Sequence, residues 1–253
     1  MALPRRGLLR LAGLLTGGLA LEALRPLPAK ALEAGEGTAG SRPLSERLQV
    51  CRPLAEPLEE LLRRNREFSV VWQAAERSGD PIERARLLHE AWPLHCQVRP
   101  DALAEGQKPW AAVLCCADSR VAPEWIFATG SGELFEVRCA GNTAFDAGIA
   151  SLEYAVAELD VPLIVVMGHS GCGAVTAAMG TAPLTPLLEE LVRPIRASLP
   201  PGGDLAAAVR ANAVAAASAL GSRSAVLRQA GAEGRLRIQP AYFDIGSGRV
   251  SLI

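Results

Sequence analysis

Two short apolar runs, Trp110–Cys115 and Pro162–Met167, restrict the fold of this chain more than any other feature. Each has strand length and each stops at polar or glycine-rich residues. A strand with no alternation is apolar on both faces, so both faces must be covered. Glu133–Arg138 reads as another strand between them. Ala147–Leu159, with Ile149, Leu152, Tyr154 and Val156, spaces its apolar residues as a helix does. Buried strands joined through helices predict an α/β fold, with a central, mainly parallel sheet flanked by helices. Pro57–Phe68 and Pro81–Trp92 predict an N-terminal helical arm, and the Ala- and Leu-rich stretch 184–232 is read as helical. Leu236–Ile245 and Arg249–Ile253 flank Gly246-Ser247-Gly248, which predicts an antiparallel edge hairpin at the C-terminal end.

Size and charge narrow the function. With 253 residues the chain suits one domain with short extensions, read as an export signal at 1–31, a linker or arm at 32–56 and the domain proper at 57–253. A net charge of -1 and only 4% aromatics point away from nucleic acid as a partner. Arg5 and Arg6 precede an apolar, glycine-containing run without acidic residues, and Ala29-Lys30-Ala31 has the small residues of a cleavage site. This pattern predicts a signal peptide resembling the twin-arginine type, a mature chain from Leu32 and a periplasmic location, with no membrane span in the mature chain. In such a compartment Cys51 and Cys96 can pair; two packed thiols is the favoured reading.

The chemistry gathers where two strands end. The first runs into Cys116-Ala117-Asp118-Ser119-Arg120 and the later one into Gly168-His169-Ser170-Gly171-Cys172-Gly173. In a parallel sheet the residues just past the carboxyl ends of strands line one crevice, so Cys116, Asp118, His169 and Cys172 can converge. Two thiolates and an imidazole suit zinc and leave a fourth tetrahedral position open. Cys172 also opens an expected helix, whose positive end favours the thiolate.

CADSRVAPEWIF (116–127), GELFEVRCAGN (132–142), ASLEYAV (150–156) and IVVMGHSGCGAV (164–175) resemble the signature blocks of β-class carbonic anhydrases. Weaker likeness in LLRRNREF, GQKPWA and AYFDIGSGRV extends the resemblance over roughly 57–253. It implies zinc held by Cys116, His169 and Cys172, with Asp118 and Arg120 as the catalytic pair beside it. It also implies reversible hydration of carbon dioxide to bicarbonate and a proton by zinc-bound hydroxide, in a homodimer or larger homo-oligomer. Asp118 has two readings, an orienting acceptor held by Arg120 or a fourth zinc ligand in a closed state. Thr129 is set against a substrate-contacting glutamine of the family.

Two other functions share these residues, a zinc hydrolase of carbon disulfide or carbonyl sulfide and a non-catalytic zinc-binding member. Cys115 and Cys139 are expected to be packed thiols, with Cys115 on the opposite face from Cys116. His89 and His95 receive no role, and Arg63, Arg64 and Arg66 read as a solvated helix face.

Overall fold

A computed structural model describes residues 42–53, 55–90 and 98–253. Five strands form one sheet in the order β2-β1-β3-β4-β5, comprising β1 (Ala111–Cys115), β2 (Leu134–Arg138), β3 (Leu163–His169), β4 (Arg237–Asp244) and β5 (Arg249–Leu252). The first four are mutually parallel, and β4 pairs antiparallel with β5 at the edge. The expected α/β sheet with its terminal hairpin is therefore the observed one. β3 runs two residues beyond the predicted Met167, so His169 is its last residue.

Helices cover both faces. The N-terminal ones are α1 (Leu44–Leu48), α2 (Pro57–Arg77), α3 (Pro81–Glu90) and α4 (Pro100–Glu105), and α5 (Pro123–Ile126) follows β1. After β2 come a 3-10 turn (Ala140–Asn142) and α6 (Asp146–Ala157). After β3 come α7 (Gly173–Met179), α8 (Pro186–Ser198), α9 (Leu205–Arg223) and α10 (Ala225–Ala232). The predicted linker thus includes a short helix, α1, which rests on α4 through Leu48, Val98 and Ala102. The stretch 184–232 is helical as expected, in three helices. Pro200, Gly202 and Gly203 break it, and Thr185, Asp204 and Ser224 cap the new starts through their side-chain oxygens.

The strands sort their side chains by alternation. Ala112, Leu114, Ile164 and Val166 face α6, α9 and α10, while Ala111, Val113, Cys115, Val165 and Met167 face α2 and α5. Trp110, Phe127 and Phe243 are almost wholly buried in the second layer. Each buried side chain of this size contributes roughly 1.5–3 kcal/mol. α9 is long and apolar enough to cross a membrane, the one such helix among the described residues; here it packs on β3 and β4.

The arginine cluster on α2 departs from the solvated face expected of it. Leu61, Arg64, Asn65 and Phe68 recur at helical spacing, so Arg64 points into the protein with its apolar neighbours. It is 7% exposed, bonds Glu60 (2.7 Å) and Glu133 (3.0 Å), and lies 5.4 Å from the centre of the Trp110 ring. Asn65 ties α2 to the rest of the domain, donating to Ile126 O and Gly248 O and accepting from Val250 N. Cys51 is disulfide-bonded, against the favoured expectation of a free packed thiol; Cys96 and His95 lie outside the described residues. His89 is exposed on α3.

Candidate metal centre

Parallel register builds the site. Cys115 stands level with Met167, so Cys116, the next residue along, comes beside Gly168 and His169. Gly168 is needed for close packing, because a Cβ there would sit 2.7 Å from Val209 Cγ1 on α9. Cys172 is the N-cap residue of α7.

These elements bring Cys116 Sγ, a His169 ring nitrogen and Cys172 Sγ within 4.8 Å of one another. Among the described residues they are the one His, Cys, Asp or Glu group so gathered. All three are buried, with His169 and Cys172 at 0% exposure. Ligand atoms held roughly 2.0–2.3 Å from a tetrahedral ion lie about 3.5–3.8 Å apart, so the cluster suits one ion with little adjustment.

The histidine carries the test of fit. Its Nδ1 lies 3.0 Å from Ser170 O, an acceptor, so Nδ1 bears the proton and Nε2 keeps its lone pair. Nε2 is buried and meets no hydrogen-bonding partner among the described residues. A buried acceptor costs about 1–3 kcal/mol when unpaired, and a metal between the two sulfurs removes that cost.

The two thiols behave as one unit. The hydrogen bond from Cys172 pulls the Cys116 thiol down, against the opposing effect of burial, and the Gly141 and Asp118 amides add to the pull. The same bond, seen from its other end, holds the Cys172 proton tightly. One proton leaves easily, and a divalent cation supplies the charge that displaces the second.

Asp118 stands beside the cluster. Arg120 donates to its carboxylate from the backbone N (3.0 Å), Nε (2.9 Å) and a terminal guanidinium nitrogen (2.6 Å), and also reaches Gly171 O at 3.2 Å. Hydrogen bonding by Arg120 holds this carboxyl well below the usual range. Asp118 Oδ2 is 3.9 Å from His169 Nε2, so the carboxylate faces the site while Arg120 restrains it. Next to Arg120 is a cavity of about 290 Å³ walled by Phe68, Trp72, Ile126 and Phe243.

Three functional contacts were not anticipated. Arg138 donates to Cys116 O, Asp118 O and Val121 O, which fastens the turn that carries Cys116 and Asp118. The Gly141 amide donates to Cys116 Sγ at 3.3 Å, and Asn212 on α9 donates to Gly141 O at 2.7 Å. A lone asparagine within an otherwise alanine-rich helix was the available signal for the last. Cys115 faces the opposite layer, where burial pushes its thiol up to about 12; Cys139 bonds Thr143. Both are packed thiols, as expected. Thr129 is 0% exposed, lines a cavity with Ala122, Trp125 and Arg138, and its hydroxyl has no hydrogen-bonding partner among the described residues.

A family profile described as carbonic anhydrase matches residues 111–250. A carbonic anhydrase of Pseudomonas aeruginosa is 36% identical over 185 residues, 66% of this chain and 83% of that protein. Carbonic anhydrase 2 of Mycobacterium tuberculosis is 45% identical over 109 residues, 43% of this chain and 51% of the relative, so the chain spans about half the length of that relative. Among solved structures, a tetrameric β-carbonic anhydrase from Sordaria macrospora superposes with a TM-score of 0.56 at 29% identity, covering 60% of this chain and 84% of that one.

Proposed function

The chain belongs to the β-class carbonic anhydrase family, and from that membership we propose that it hydrates carbon dioxide reversibly to bicarbonate and a proton, with zinc held by Cys116, His169 and Cys172. The observation that carries this reading is the buried, unpartnered Nε2 of His169 set between two thiols and beside the Asp118–Arg120 pair. When bound, zinc supplies the Lewis acidity that makes water a nucleophile near neutral pH.

The protein's own groups do the rest. Asp118, ionised and therefore only an acceptor, takes a hydrogen bond from the attacking water and turns its lone pair toward the carbon. Arg120 fixes the carboxylate at two side-chain nitrogens and one amide, so little orientation is lost on reaction. Two sulfur ligands with one imidazole leave the fourth position of a tetrahedral ion for chemistry.

Stopped-flow measurement on protein of known zinc content should show hydration that rises with pH between about 6 and 9, as a base of that pKa ionises. Zinc-loaded protein with no acceleration at pH 9 would instead be a binding member of the family. Turnover of carbon disulfide or carbonyl sulfide alone would assign it to the hydrolases.

Export by residues 1–31 and self-association belong to the same proposal. The disulfide at Cys51 supports an oxidising compartment, and the Sordaria relative is tetrameric. Protein recovered from the periplasm should begin near Leu32 and sediment as a homo-oligomer. An intact Met1 in that material overturns the export reading, and a monomer overturns the assembly.

A further inference from the structure

We infer that Asn212 is a positioning residue for the metal centre: from α9 it anchors the Gly141 carbonyl and so holds the left-handed turn in which the Gly141 N–H points at Cys116 Sγ and weakens that sulfur as an electron donor. The inference rests on Cys116, His169 and Cys172 being the metal ligands.

Two thiolates cancel the formal charge of a divalent ion, which leaves its bound water less acidic than three neutral imidazoles would. A hydrogen bond to a thiolate draws electron density off the sulfur and restores part of the ion's pull. The Gly141 amide makes such a bond, at 3.3 Å.

The peptide that makes it is in a conformation needing support. Gly141 has φ 74° and Asn142 has φ 47°, so two successive residues sit in the left-handed region, the second with a side chain. A Cβ on residue 141 would lie 2.6 Å from Ile195 Cδ1 and 3.1 Å from Ala174 Cβ, so α7 and α8 close over the turn. Asn212, 3% exposed, completes the enclosure. Its Nδ2 donates to Gly141 O at 2.7 Å and lies 3.5 Å from Asn142 Oδ1. Gly141 therefore donates to sulfur from the peptide before its Cα and accepts from Asn212 on the peptide after it; with its φ held at 74° by the packed turn, anchoring the second peptide restrains the first.

The same face of α9 also steadies the histidine strand. Val209, one turn before Asn212, packs on Gly168, the residue preceding His169. One helix thus sets both halves of the centre, by packing at Val209 and by hydrogen bonding at Asn212. An amide in the middle of LAAAVRANAVAAASAL brings no helix propensity and costs desolvation, so stability alone does not account for it.

The test uses the whole chain with cobalt in place of zinc. Asn212→Leu keeps the side-chain volume and removes the donor, and Asn212→Ala serves if leucine prevents folding. The sulfur-to-cobalt charge-transfer band should move to longer wavelength, because a sulfur without its hydrogen bond gives up an electron more easily. A band that stays in place in folded variants overturns the inference while leaving the ligands intact. A parent protein without any sulfur-to-cobalt band would overturn the ligand assignment and this inference with it. The unmutated protein offers a check independent of folding. With ¹¹³Cd bound and glycine ¹⁵N-labelled, the Gly141 amide proton should couple to cadmium through the hydrogen bond, and no coupling there, when the cysteine protons do couple, refutes it.

Discussion

On the proposed function, His169→Ala should release the metal and return carbon dioxide hydration to the uncatalysed rate. The side chain is 0% exposed and anchored by Nδ1 on Ser170 O, and its free Nε2 faces the two sulfurs. Alanine removes one of three ligands and leaves a cavity that no neighbouring group fills. Second-sphere substitutions alone cost about 10–100-fold in metal affinity, so loss of a direct ligand should exceed 100-fold. Cys116→Ser acts on the same centre from just past the end of β1, because a hydroxyl does not ionise where a thiol drawn down by its neighbours does. Elemental analysis after dialysis against a chelator reads both variants. Stoichiometric zinc retained in each would remove these residues as ligands.

Arg120→Ala should have the opposite profile, with metal kept and hydration reduced about 10–100-fold. Arg120 is the main restraint on Asp118, and Asp118 Oδ2 already lies 3.9 Å from His169 Nε2. Freed from the guanidinium, the carboxylate is drawn to the cation and takes the position that the attacking water needs. Asp118→Asn in the same background separates this from a general loss of order, since a neutral amide is a poor ligand and should not block that position. Protonation does not explain the loss. A carboxyl held low in the folded protein stabilises it fully above the unfolded value near 3.9, and that stability disappears as pH falls through the native value. Removing Arg120 moves Asp118 back toward the ordinary range, where it is still ionised at pH 7. The expected rise of hydration above pH 6 would therefore belong to the nucleophile, and Arg120→Ala should lower the plateau without moving Asp118's titration into that window. An unchanged plateau would show that Asp118 needs no restraint.

The strands of the sheet were legible because their signal is local. An apolar run of five residues reports burial on both faces without reference to the rest of the chain, and β1 and β3 follow the runs at 110–115 and 162–167 to within a residue or two. The convergence of Cys116, His169 and Cys172 was legible for a related reason: parallel strands carry the residues at their carboxyl ends to a common edge. Cys115 and Cys116 separated correctly because alternation is a property of the strand itself.

Partners far apart in sequence were not legible. Nothing in LLRRNREF distinguishes Arg64 from Arg63 or Arg66; only the packing of α2 on β1 turns Arg64 onto Trp110 and Glu133. The bond between Asn212 and Gly141 spans 71 residues and needs α9, the 3-10 turn and β1 all in place. Arg138 finds Cys116 O and Asp118 O because β2 lies beside β1 in one particular register. The residue types that bind and activate, and the strands that deliver them, were written in the order of amino acids, since periodicity and short spacing act within a few residues. What steadies those groups, in the Arg120 clamp on Gly171, the Gly141 amide on sulfur and the asparagine behind it, was decided by tertiary structure, because a hydrogen bond exists only once both ends have been packed within about 3 Å.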